Sequence, residues 1–132
     1  MNIFVVEDAP EIRKRLIAML NRVPGAVVAG EADTVREAID GVLATDADTL
    51  LLDLQLKDGS GLYVLAELKA RRPAVRIIVL TNFATLQHRQ ASQAAGADVF
   101  LDKSQEFGLI PKILGEWIAT GDPSRPGPEN RS

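Results

Sequence analysis

Five times along the chain, a short apolar or β-branched run is followed by a longer stretch in which apolar residues recur at helical spacing. NIFVV (2–6) precedes EIRKRLIAMLNRV (11–23), where Ile12, Leu16, Leu20 and Val23 fall on one face, so the spacing predicts strand then helix. The pattern returns as AVVAGE (26–31) with TVREAIDGVLA (34–44), TLLLD (49–53) with GLYVLAELKARR (61–72), VRIIVLT (75–81) with TLQHRQASQAAG (85–96), and DVFL (98–101) with LIPKILGEWIA (109–119). Turn chemistry separates the elements at Pro24-Gly25, Asp58-Gly59, Pro73 and Gly96, and Pro111 falls in a first helical turn, where its missing N–H does little harm. Near-continuous hydrophobic strands suit a parallel sheet covered on both faces. The expectation is therefore a three-layer α/β sandwich of (βα)5 type with right-handed crossovers.

The remaining composition narrows the function classes. A net charge of −3 and 25% charged residues argue against a nucleic-acid surface, and the absence of cysteine excludes disulfides and thiolate chemistry. The opening MNIFVVEDAPE reaches acids too soon for a signal peptide, and no apolar run approaches a membrane span, so a cytoplasmic location is expected. The stretch GDPSRPGPENRS lacks apolar periodicity and reads as a flexible tail over 121–132, after one domain over 1–120.

Polar residues collect at the carboxyl ends of the expected strands. The first ends in Glu7 and Asp8, the third in Asp53, the fourth in Thr81, and the fifth runs into Lys103. In open parallel sheets these ends form the ligand crevice. Like charges near 4 Å repel by about 4 kcal/mol at an effective dielectric of 20, so three acids brought together imply a cation. All-oxygen donors select a hard ion, and Mg²⁺ suits a site with few carboxylates. The hydroxyl of Thr81 and the ammonium of Lys103 complement a phosphoryl group, and an aspartate carboxylate can itself attack phosphorus.

Taken together and in this order, VVEDAP, LLLDLQLKDGSG, IIVLTN and VFLDKS resemble the receiver domain of bacterial two-component response regulators, over about residues 1–120. The resemblance implies a flavodoxin-like doubly wound sheet of order 2-1-3-4-5. It implies Asp53 as phosphoacceptor, and Mg²⁺ held by Asp8, Asp53 and the backbone carbonyl of Gln55, with Glu7 acting through water. Thr81 and Lys103 would receive the phosphoryl oxygens, Phe100 would be the switch aromatic, and Gly61 would close the loop after the phosphorylation site. The implied partners are a sensor histidine kinase or histidine phosphotransfer protein, in a two-component system or phosphorelay, and a downstream protein on the face of the fourth helix, fifth strand and fifth helix. No membrane and no nucleic acid are expected as partners of this chain. Two positions depart from the family pattern: Lys57 stands where proline is most common, and Asn82 where a small residue is most common.

Other readings stay open beside this one. A receiver separated from a DNA-binding output domain has the same motifs. A phosphatase of the haloacid dehalogenase type also uses a strand-end Asp with Mg²⁺, but needs a second acid where Gln55 stands. A flavodoxin would place hydroxyls, not the acids of EDAPE, in its first loop. His88, the single histidine, reads as solvated or partly packed, and Trp117 with Ile110, Ile113 and Leu114 as packing of the last helix. Phe83, two positions after Thr81, is expected to flank the phosphoryl group if strand geometry continues.

Overall fold

Alternation of side chains along each strand decides the architecture. In the computed structural model, which describes residues 1–120, Leu50 and Leu52 point into one apolar cluster and Leu51 into another; Phe4 and Val6 part from Ile3 and Val5 in the same way. Both sheet faces are therefore apolar, and both are covered by helices. Numbering the main-sheet strands β1 to β5, the order is β1 (Asn2–Val6), α1 (Pro10–Leu20), β2 (Val27–Ala32), α2 (Val35–Leu43), β3 (Thr49–Leu52), α3 (Gly61–Arg71), β4 (Arg76–Thr81), α4 (Leu86–Ala94), β5 (Val99–Asp102) and α5 (Ile110–Ala119). The strands are all parallel, in the spatial order β2-β1-β3-β4-β5. Leu16 and Leu20 of α1 and Ile110 and Leu114 of α5 fill one layer; Ala38 and Val42 of α2 with Val64, Leu65 and Leu68 of α3 fill the other.

The sequence expectation holds for the five βα units and for the sheet order, with shifts at the ends of elements. Helix α1 stops at Leu20 rather than 23, because the chain must turn through Gly25, whose φ of 89° lies in the left-handed region. Strand β3 ends at Leu52, so Asp53 stands just beyond the ladder. A two-stranded antiparallel ladder between Gln55–Leu56 and Gly59–Ser60 lies between β3 and α3; at two residues a side it is too short to carry a period, and only its Asp58-Gly59 turn is legible beforehand. The expected tail over 121–132 lies outside the described residues. Among the described residues no helix is long and apolar enough to cross a membrane.

Gly61 is required where α3 meets the end of β3. Its N–H donates to the Leu54 carbonyl at 2.8 Å, and a Cβ at this position would collide with the Asp53 carbonyl oxygen and lie 2.8 Å from Leu54 Cα. Gly115, on α5, has open space where a Cβ would be. Gly61→Ala is expected to lower the unfolding free energy by about 1–3 kcal/mol, the range for forced overpacking. Gly115→Ala should raise it by about 0.5–1 kcal/mol through helix propensity. Equal effects of the two substitutions in equilibrium unfolding would contradict this packing account.

Candidate functional site

Because the strands run parallel, all five carboxyl ends open at one edge of the sheet, and the acids follow from that. Glu7 comes immediately after β1, where its N–H donates to the Ala32 carbonyl at 3.0 Å; Asp53 comes immediately after β3, its N–H donating to the Val6 carbonyl at 3.0 Å. Asp8 occupies the next position in the first loop. One carboxylate oxygen from each of Glu7, Asp8 and Asp53 lies within 4.8 Å of the others. Glu7 and Asp53 are buried, while Asp8 is half-buried.

Lys103 enters the same group from β5. Its ammonium donates to Glu7 Oε1 at 2.7 Å and to Asp53 Oδ2 at 3.2 Å, and it is nearly buried itself. Sequence reasoning placed Lys103 at the crevice as a partner for a phosphoryl group and assigned the acids a metal as their counter-ion. In the structure the lysine is itself a counter-ion, through a contact across a sequence separation of 96 that leaves no local pattern. Sequence reasoning missed Arg13, which from α1 donates to the Glu7 backbone carbonyl at 2.8 Å and to Glu31 at 2.8 Å.

The remaining hydrogen bonds orient the carboxylates. Glu7 Oε2 accepts from the Ala9 N–H at 3.1 Å, and Asp53 Oδ1 accepts from the Gln55 N–H at 3.2 Å. Burial pushes the Glu7 carboxyl above its usual 4.5, and the charge of Asp53 adds to this; the Lys103 and Ala9 hydrogen bonds offset it only in part. For Lys103, burial alone would pull the ammonium down, but the Glu7 hydrogen bond and the charges of Asp53 and Glu7 outweigh it and hold the group above 10.5.

A crevice of about 150 Å³ is lined by Glu7, Asp8, Asp53, Gln55, Asn82, Phe83 and Lys103, together with Ala9 and Ile12. Thr81 does not line it. The threonine is buried at the end of β4, its hydroxyl oxygen accepts from the Phe83 N–H at 3.1 Å, and it faces an adjoining cavity of about 290 Å³ that Gln55, Ser60, Phe83 and His88 also line. The strand ends before Phe83, yet Phe83 borders both spaces and is half exposed. His88 is half-buried, with Nδ1 2.7 Å from the Thr85 hydroxyl. Phe100 is buried on β5, its ring covered by the Arg89 guanidinium of α4 at 4.6 Å. Trp117 is half-buried against the α1/α5 layer, with the Arg76 guanidinium 4.1 Å over its ring.

Three carboxylates and one ammonium leave the cluster with a formal excess of two negative charges. No histidine or cysteine lines the crevice, so its candidate metal ligands are oxygens, and a hard dication with retained waters matches both the ligand set and the negative excess. The group Glu7, Asp8 and Asp53 thus fits a divalent ion.

The doubly wound parallel sheet with a crevice at its carboxyl strand ends defines a flavodoxin-like α/β domain. Residues 3–114 match the response regulator receiver domain, and the chain belongs to that family. It is 34% identical over 119 residues to the nitrate/nitrite response regulator protein NarP of Escherichia coli, covering 90% of this chain and 54% of that protein. With the DNA-binding transcriptional activator DevR/DosR of Mycobacterium tuberculosis it shares 32% over 103 residues, covering 78% of this chain and 48% of that protein. The chain thus spans about half the length of these relatives. The non-phosphorylated receiver domain of RcsB from Escherichia coli superimposes with a TM-score of 0.80 at 24% identity, over 92% of this chain and 95% of that one, which shows the shared fold. Receiver domains are signalling domains of two-component systems rather than classical enzymes.

The raised Glu7 pKa has a definite sign for stability. A folded carboxyl held above its unfolded value contributes stability that is complete below the unfolded value, about 4.5, and is lost as pH rises through the folded value. In metal-free buffer the stability of the wild type relative to Glu7→Gln is therefore expected to fall as pH rises from about 4.5 and then level off. Lys103→Met should cost about 3 kcal/mol or more at neutral pH, because it leaves two buried carboxylates without their counter-ion, and should steepen the pH dependence. Urea unfolding across pH measures both; a flat difference between wild type and Glu7→Gln would refute the Glu7 assignment.

Proposed function

We propose that the chain is a phosphorylatable switch in which Asp53 accepts a phosphoryl group from a phosphohistidine of a sensor kinase or histidine phosphotransfer protein. The observation that carries this reading is the placement of Asp53 in an open crevice, beside two further carboxylates that fit a divalent ion and within hydrogen-bond distance of an ammonium. An Asp53 carboxylate oxygen attacks phosphorus, the P–N bond breaks, and the imidazole leaves with the electron pair. Asp8, Asp53, Glu7 and the Gln55 carbonyl would hold Mg²⁺, which when bound neutralises charge on the phosphoryl oxygens. Lys103 already touches Asp53, so a phosphoryl group formed there arrives beside its ammonium. The Thr81 hydroxyl, now accepting from Phe83 N–H, has a hydrogen to donate to a phosphoryl oxygen once the β4–α4 loop draws in. Phe100, on β5 against α4, would pass the change to a downstream protein on the α4–β5–α5 face, in the cytoplasm.

The similarity to the DNA-binding transcriptional activator DevR/DosR favours a second reading, in which this receiver acts on a DNA-binding output domain. A phosphatase of the haloacid dehalogenase type is disfavoured by Gln55, whose amide cannot serve as the required acid.

Incubation with a small acyl phosphate and Mg²⁺ should give one phosphoryl adduct by intact-mass spectrometry, absent from Asp53→Asn and absent with a chelator. An adduct that persists in Asp53→Asn would sink the assignment. The lifetime of the adduct is expected to depend on Phe83, whose ring borders the crevice and offers no base to orient a water for in-line attack. Phe83→Ala should dephosphorylate several-fold faster in excess Mg²⁺, about 1 kcal/mol in barrier terms. An unchanged rate would mean that water already enters by another route.

A further inference from the structure

The β2–α2 junction, residues 31–35, contributes no residue to the acidic crevice, yet the two loops that carry its acids are fastened to it. From the first loop's side, Arg13 bonds Glu31 at 2.8 Å through Nε and the Glu7 carbonyl at 2.8 Å through Nη1, and its side chain is largely buried. From the β3–α3 loop, Lys57 Nζ donates to Asp33 at 2.9 Å. One residue further on, Asp58 Oδ1 accepts the Val35 N–H at 2.6 Å, so the loop caps the N-terminus of α2 from outside the helix. Thr34 caps the same turn from within, taking the Glu37 N–H at 3.1 Å.

We infer that this junction is a positioning element for the crevice: Lys57 and Asp58 pin the short ladder that carries Gln55 to Asp33 and Val35, while Arg13 ties the loop of Glu7 and Asp8 to Glu31. The spacing between the two loops is then set by one rigid segment at the end of β2, instead of by each loop separately. Lys57 stands where a proline would stiffen the loop through its backbone, and the ion pair to Asp33 together with the Asp58 cap does that work through side chains. Two contacts at consecutive positions fix both the place and the direction of the ladder. An isolated exposed pair would do little, but one adjoining a helix cap has less freedom left to lose. The inference rests on the metal reading above only for its consequence at the crevice, since the fastening itself is a property of the metal-free protein.

The test uses Lys57→Met, Asp33→Asn and Lys57→Arg in the full chain. In metal-free buffer, amide exchange over residues 55–61 should quicken by about two- to five-fold in the first two variants, the range for loss of one exposed pair, and stay near wild type in Lys57→Arg. Exchange in α5 should be unchanged in all three. Mg²⁺ affinity, measured by calorimetric titration, should weaken in both Lys57→Met and Asp33→Asn. A purely long-range field predicts opposite directions, because one variant removes a positive charge and the other a negative one. Opposite shifts in affinity, or unchanged exchange in the ladder, would overturn the inference. If the wild type itself binds no Mg²⁺, the metal reading fails, and the exchange comparison alone still decides the fastening.

Discussion

A buried ammonium bridges two buried carboxylates at the edge of the sheet, and the geometry of the whole site follows from it. Lys103 reaches Glu7 and Asp53 at 2.7 and 3.2 Å, although β5 and β3 are not neighbours: β4 lies between them. The lysine stem must therefore span the end of β4, where Thr81 is fully buried and its carbonyl accepts the Lys103 N–H at 2.9 Å. Such a contact draws three strand ends together. A buried ion pair is not in itself a large source of stability, because removing each charge from water costs several kcal/mol. Its effect here is on arrangement, since loss of the ammonium would leave two carboxylates facing each other in a poorly solvated place.

The same cluster is left electrically incomplete. One ammonium cannot balance Glu7, Asp8 and Asp53, and the uncompensated charge lies on the side open to the crevice. The protein thus holds an excess of negative charge at a fixed point while its surroundings stay well packed, which is a condition suited to binding a hard cation. Packing around that charge is correspondingly strict. Asp53 is followed within two residues by a backbone turn that bonds its own carboxylate, and Gly61 brings α3 so close to the Asp53 carbonyl that no side chain fits.

Outside the cluster, the loops are arranged by side chains of modest individual strength. Arg13, Lys57 and Asp58 each tie a loop to the end of β2 or the start of α2, and Arg89 covers Phe100 between α4 and β5. The helix α4 contributes only Ser92 as a fully buried residue, with a hydroxyl that has no hydrogen-bond partner, so this helix is held by fewer apolar contacts than α1 or α3. Rigid strands and firmly held acids therefore meet a more lightly held helix on the side where Thr81 and Phe83 lie.

Sequence by itself determined the five βα units, because burial on both faces of a parallel sheet imposes near-continuous apolar strands while the helices must show a one-sided stripe; both are local periodicities. It also placed Glu7, Asp8, Asp53, Thr81 and Lys103 at strand ends, since parallel connection sends every carboxyl end to the same edge. What it could not contain is which of these side chains touch. Lys103 as counter-ion to Glu7, Thr81 turned toward the neighbouring cavity, and the fastening of Lys57 to Asp33 all depend on contacts between residues tens of positions apart. Those contacts exist only once the helices have set the strands at fixed depth and register, and the direction of a long side chain in that frame is decided by packing and by the nearest opposite charge, neither of which has a period that a linear chain can display.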